Sequence, residues 1–121
     1  MILSKTTDNK EATRYYSDMQ EKAVCKIVNG YQTINSGASK FSKGDVLNKE
    51  AGLLCECKTT MSEKSSFSIK KEWILKNKEE GFASRLPNQC IAFSFEPGGS
   101  NYFVIDEKLM KLFVEKLTSE E

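Results

Sequence analysis

Acidic-x-lysine is the spacing in this sequence that could do chemistry. It occurs three times, at Asp8-x-Lys10, Glu56-x-Lys58 and Asp106-x-Lys108. Only the middle copy sits inside an apolar run, Leu53 to Thr59. On a strand, Leu54, Glu56 and Lys58 point one way and Leu53, Cys55, Cys57 and Thr59 the other. A carboxylate and an ammonium therefore stand side by side on one face. The preceding strand adds a third group. A four-residue turn at 49–52 pairs Asn48 with Leu53, and three steps further Asp45 falls opposite Glu56. Opposed side chains share a face with Cβ atoms about 4.5–5.5 Å apart. Two carboxylates so close disfavour joint ionisation, and a divalent cation between them removes the conflict. Hard oxygen ligands suit Mg²⁺, with Mn²⁺ as a substitute. Lys58 beside them could stabilise a developing oxyanion or hold an attacking water. The competing reading is an exposed hairpin whose Glu56–Lys58 ion pair is solvated and contributes little.

Composition restricts the alternatives. The 121 residues include 18 Lys plus Arg, 17 Asp plus Glu and no histidine. Without histidine there is no Ser-His-Asp triad, no Cys-His pair and no imidazole acid or base. The four cysteines, Cys25, Cys55, Cys57 and Cys90, lack the paired spacing of a zinc ribbon, and read as buried thiols. No run approaches the ~20 apolar residues of a membrane span. The start, Met1 to Lys5, lacks an apolar signal core. A cytoplasmic location without membrane contact is expected.

The elements that must position these groups follow the order α-β-β-β-α-β-β-α in a single domain covering 1–121. Residues 1–14 read as a flexible arm. Tyr15, Met19, Ala23 and Ile27 recur every four residues, which predicts a helix to Val28 with Asn29-Gly30 as its stop. A short strand at Tyr31 to Ile34 and a small-residue, basic loop through Gly44 lead into the hairpin of Asp45–Leu47 and Leu53–Thr59. Ser68 is the expected N-cap of a helix to about Glu80, with Gly81 as its stop. Strands at Cys90–Phe95 and Tyr102–Ile105 follow. Asp106 caps a last helix bearing Leu109, Leu112, Phe113 and Leu117. Trp73 and Ile69 read as core or dimer contacts, and Phe93 and Phe95 as core.

Gly44-Asp45 followed by Glu56-Cys57-Lys58, with a Glu21 helix and a Ser36-Gly37 loop before it, resembles the PD-(D/E)XK nuclease superfamily. The Phe67 to Ile74 segment and the Ile91–Phe95 strand extend the likeness, which is to small phage-type and archaeal-type Holliday junction resolvases. The resemblance implies an α/β, restriction-endonuclease-like fold, a mixed twisted sheet flanked by helices. It implies Asp45, Glu56, the Cys57 carbonyl and Glu21 as metal ligands and Lys58 as the residue that orients water. It also implies Ser36, or Ser39, beside the scissile phosphate. Gly44 stands where the motif's proline would be. The implied function is a Mg²⁺-dependent endonuclease on branched DNA, working as a homodimer. A nuclease of the same fold with another DNA or RNA substrate, or a non-catalytic DNA-binding relative, remains open. Lys70 and Lys71 occupy the helix start where the superfamily often carries a further Lys or Gln.

Charge is distributed accordingly. Residues 37–78 carry 9 basic and 5 acidic side chains, while 79–121 carry 4 and 8. Lys40, Lys43, Lys70 and Lys71, with Lys49 and Lys64, are candidates for phosphate contacts.

Overall fold

The computed structural model describes residues 2–33 and 45–119. Its elements are α1 (Ile2–Val28), β1 (Tyr31–Gln32), β2 (Asp45–Asn48), β3 (Leu53–Lys58), α2 (Lys71–Ala83), β4 (Asn88–Phe93), β5 (Tyr102–Val104) and α3 (Glu107–Ser119). The strands form one mixed sheet in the order β1-β2-β3-β4-β5. Neighbours are antiparallel except β3 and β4, which run parallel. Parallel neighbours need a crossover, and α2 lies in that connection. The class is therefore mixed α/β, a five-stranded sheet with three helices.

The two sheet faces have different tenants. Val46, Cys55, Cys90 and Ala92 form a core with Val24 of α1. The opposite face carries Asp45, Leu47, Leu54, Glu56 and Lys58 and is covered from the α2 side, with Leu86 packed on Leu47 and Leu54. A one-residue slip of β3 would exchange these two sets. Burial on both faces therefore fixes the register.

α1 stops where the sequence says it should. Asn29 adopts a left-handed φ of 56°, a conformation asparagine tolerates. Gly30 then passes so close to β2 that a Cβ there would sit 2.1 Å from the Leu47 carbonyl oxygen. The other end departs from expectation. Residues 2–14, read as a loose arm, continue α1. Their polar stretch lacks apolar periodicity, but no Gly or Pro interrupts it, and a helix already nucleated by the packed turns of α1 extends at one hydrogen bond per residue.

α2 also differs from its predicted bounds. It starts at Lys71, with Lys70 at the N-cap position and no side-chain cap, so Ser68 does not cap it. It runs past Gly81 to Ala83. Gly81 serves packing instead of termination: a Cβ there would lie 2.6 Å from Gln89 Nε2 and 2.9 Å from the Leu86 carbonyl oxygen. The turn-out comes at Arg85, whose φ is 60°, with the Leu86 N–H donating back to the Gly81 carbonyl at 2.8 Å. Asp106 caps α3 as expected, accepting from the Leu109 N–H at 2.9 Å.

Candidate metal centre

The hairpin register places Asp45 directly opposite Glu56. Asp45 is 0% exposed and Glu56 8%, so an exposed hairpin with a solvated charge cluster is not what forms. A third carboxylate, Glu80 of α2, joins them. One oxygen from each of Asp45, Glu56 and Glu80 lies within 4.8 Å of the other two. Three hard oxygen donors, two on a rigid sheet and one on the covering helix, can hold a small divalent cation. The donor set therefore fits Mg²⁺ or Mn²⁺.

Lys58 is the cation of the same face. Its Nζ is 2.8 Å from Glu56 Oε2 and 4.3 Å from the centroid of the Trp73 ring. Trp73 thus receives the ammonium over its face, a contact stronger where water is partly excluded, and is more than a core filler. Beyond Lys58 the sheet face turns aromatic. Lys58, Phe93 and Tyr102 lie side by side across β3, β4 and β5, and Phe67 stacks on Phe93 at 4.9 Å between centroids.

Lys58 is also anchored from behind. Gln20 of α1 is buried, and its side-chain N–H group donates to the Lys58 carbonyl at 2.8 Å and to Asn101 Oδ1 at 3.1 Å. A longer bond of 3.4 Å reaches the Ala92 carbonyl. The amide sits where β3 and β4 end their shared ladder.

The other expected site residues distribute as follows. Glu21 is buried on α1 and accepts from Gln32 Nε2 at 3.0 Å. Gln32 pairs with Val46, which faces α1, so Glu21 lies on the far side of the sheet and is outside the three-carboxylate group. It lines a cavity of about 470 Å³ with Arg14, Asp18 and Thr33. The Cys57 side chain packs into the α1-side core, which leaves only its main chain for any ligand role. Lys70 and Lys71 are exposed, and Lys70 Nζ lies 5.7 Å from the Trp73 centroid. Ser36, Ser39, Lys40 and Lys43 lie outside the described residues.

Glu80 is the residue sequence reasoning missed. Its signal was helical spacing: Trp73, Asn77 and Glu80 stand at i, i+4 and i+7 and share one face. Asn77 is buried on that face and donates from Nδ2 to the Cys90 carbonyl at 2.8 Å.

The cysteines offer no competing metal site. All four are free. Hydrogen bonding with Cys57, then burial, pushes the Cys55 thiol up, and hydrogen bonding with Cys55, then burial, pushes Cys90 up. Among the described residues the one group able to hold a metal ion consists of carboxylates and includes no cysteine.

Among the described residues no helix is long and apolar enough to cross a membrane. Compared with known proteins, the chain matches no family model, no curated protein and no solved structure.

Proposed function

We propose that this protein is a Mg²⁺-dependent, structure-selective DNA endonuclease with a restriction-endonuclease-like fold, acting on branched DNA of the four-way-junction kind. The observation that carries the reading is the convergence of Asp45, Glu56 and Glu80 within 4.8 Å, with Lys58 bound to Glu56 at 2.8 Å on the same sheet face. Two buried carboxylates and a half-buried third gathered around one point favour a divalent partner over mutual repulsion. A hydrolytic centre of this type also needs no histidine.

Bound there, a Mg²⁺ or Mn²⁺ ion would neutralise a phosphodiester and lower the pKa of a coordinated water. The protein's own groups do the rest. Asp45 and Glu56 are held by the β2–β3 ladder, so their carboxylates need little reorganisation to meet a cation. Glu56 and the Trp73 ring fix the Lys58 ammonium beside the carboxylates. There it can donate to an attacking water or to a phosphate oxygen. The exposed Lys70 and Lys71 supply phosphate contacts that carry no sequence information. The junction preference itself rests on the resemblance to resolvases.

A gel assay with a synthetic four-way junction and a matched linear duplex in Mg²⁺ tests this. Paired symmetric nicks near the crossover are expected. Asp45→Asn, Glu56→Gln and Lys58→Met should each lower cleavage by about 10²-fold or more. Equal cleavage of linear duplex would remove the junction assignment. Absence of cleavage on any DNA or RNA in Mg²⁺ or Mn²⁺ would favour a non-catalytic DNA-binding protein.

A further inference from the structure

The rings beyond Lys58 take no part in holding metal or water. The chain has 7 Phe, 4 Tyr and 1 Trp, and five of these rings meet at this end of the carboxylate face. Trp73, Phe67, Phe93, Phe95 and Tyr102 are linked ring to ring, with centroids 4.9 to 6.3 Å apart. They do not close into a core. Tyr102 is 51% exposed on the edge strand β5, and the other four are half-buried. Cations border them. Lys58 Nζ lies 4.3 Å and Lys70 Nζ 5.7 Å from the Trp73 centroid. At the far end the Lys64 N–H donates to the Phe95 carbonyl at 2.7 Å. That bond fastens the loop after β3 to the end of β4 and keeps the exposed Lys64 beside Phe95.

We infer that these rings are a stacking platform for unpaired nucleobases, set beside the carboxylate centre. The register supplies the spacing. Lys58 neighbours Phe93, and Phe93 neighbours Tyr102. Strands are spaced about 4.8 Å, so the Tyr102 backbone stands roughly 10 Å from that of Lys58. A strand whose phosphate is held at Lys58 can therefore lay a neighbouring base on the Phe95 and Tyr102 rings. Charge complementarity chooses this occupant. Ring faces edged with ammonium groups match a strand in which flat bases alternate with anionic phosphates. An apolar peptide would leave those cations unused. Pairing state is chosen as well. Bases within a duplex stack on one another and show only their edges in the grooves, whereas an unpaired base offers its whole face to an aromatic side chain. The inference rests on the nuclease reading for what the strand is brought to, and it names what that centre selects: unpaired nucleotides beside the scissile phosphate.

The test reads binding without metal or cleavage. In EDTA at low salt, fluorescence anisotropy of a labelled oligothymidylate should show tighter binding than a labelled duplex of the same length. Tyr102→Leu keeps apolar bulk but removes the ring, and should weaken oligothymidylate binding about five-fold or more with unchanged far-UV circular dichroism. Tyr102→Phe should bind as wild type does. Ultraviolet irradiation with an iodouracil-substituted oligonucleotide should cross-link Tyr102 or Phe95 in the unaltered protein. The stacking chemistry is common to DNA and RNA, and a parallel titration with oligouridylate tells which strand the platform accepts. Equal binding of duplex overturns the inference, as does a Tyr102→Leu variant that binds as wild type. Equal loss in Tyr102→Phe would assign the effect to the hydroxyl and remove the stacking, and cross-links confined to the α1 side of the sheet would remove the site. A protein that binds unpaired strands through Tyr102 but cuts none in Mg²⁺ keeps the platform and loses the nuclease reading. One that cuts junctions without any Tyr102-dependent preference for unpaired bases does the reverse.

Discussion

Glu80→Gln separates a metal centre from a structural charge cluster, because the two give opposite signs in the two halves of one experiment. The substitution keeps the shape of the side chain and removes its charge. Each neighbouring carboxylate has an oxygen within 4.8 Å of Glu80. At an effective dielectric of about 20, unit charges at that distance repel by roughly 3.5 kcal/mol. Lys58, 2.8 Å from Glu56, largely offsets one of the two repulsions. Glu80 is half-buried, and solvent screening reduces the remaining one to about 1–2 kcal/mol. In EDTA, Glu80→Gln should therefore be more stable than wild type, by about 3–8 °C in melting temperature for a chain of this size. Adding a divalent cation reverses the order. A ligand at a hundredfold its dissociation constant adds about 2.7 kcal/mol to the state that binds it, and the variant has lost one of three anionic ligands. Melting curves of both proteins in EDTA and in excess Mn²⁺ complete the comparison. If Glu80→Gln is less stable in EDTA and both proteins shift equally in Mn²⁺, the three carboxylates are structural and the metal assignment fails.

Three further outcomes follow from the packing. Gly81→Ala should destabilise the fold by about 1–3 kcal/mol in urea denaturation, although Ala is the better helix former by about 1 kcal/mol, because its Cβ would meet Gln89 and the Leu86 carbonyl. The hydrogen bond from Lys78, then that from the Leu109 N–H, holds the Asp106 carboxyl below its usual range. A depressed folded pKa means stability that is present above the ordinary carboxylate value, about 3.9, and lost as pH falls through the lower folded value. Asp106→Asn keeps the cap but should flatten that acid limb of the melting-temperature profile below about pH 4. The raised thiols of Cys55 and Cys90 should resist Ellman's reagent at mildly alkaline pH until the protein is unfolded, and rapid native labelling of either would show that the α1-side core opens.

What the sequence disclosed, and what it withheld, divides along a physical line. The β2–β3 pairing was legible because strand alternation and a four-residue turn leave few registers, and burial on both faces selects one. Asp45 opposite Glu56 is a consequence of that local rule. The α1 stop at Asn29-Gly30 was legible for the same reason, being written in backbone chemistry within two residues. Gly81 shows where such rules end. Its type promised a helix stop, but its use depends on Gln89 and Leu86, residues that reach it only after α2 crosses the sheet. The tertiary approach overrode the propensity. Glu80 was hidden by the same crossing. Its helical phase was readable, yet which sheet row it would meet depends on how far α2 travels along the face, and no local pattern states that distance. Glu21 is the converse case. The family resemblance offered it as a ligand, and its helix packs on the face that Asp45 and Glu56 turn away from. The chain thus draws its third carboxylate from the helix after the motif strand, and the helix before it supplies Gln20, which grips the Lys58 carbonyl from behind. If the centre binds metal, α1 sets the backbone at the end of β3 and α2 completes the ligand set. Loss of Gln20 should then lower cleavage while sparing the Mn²⁺-induced rise in melting temperature, and loss of Glu80 should remove both.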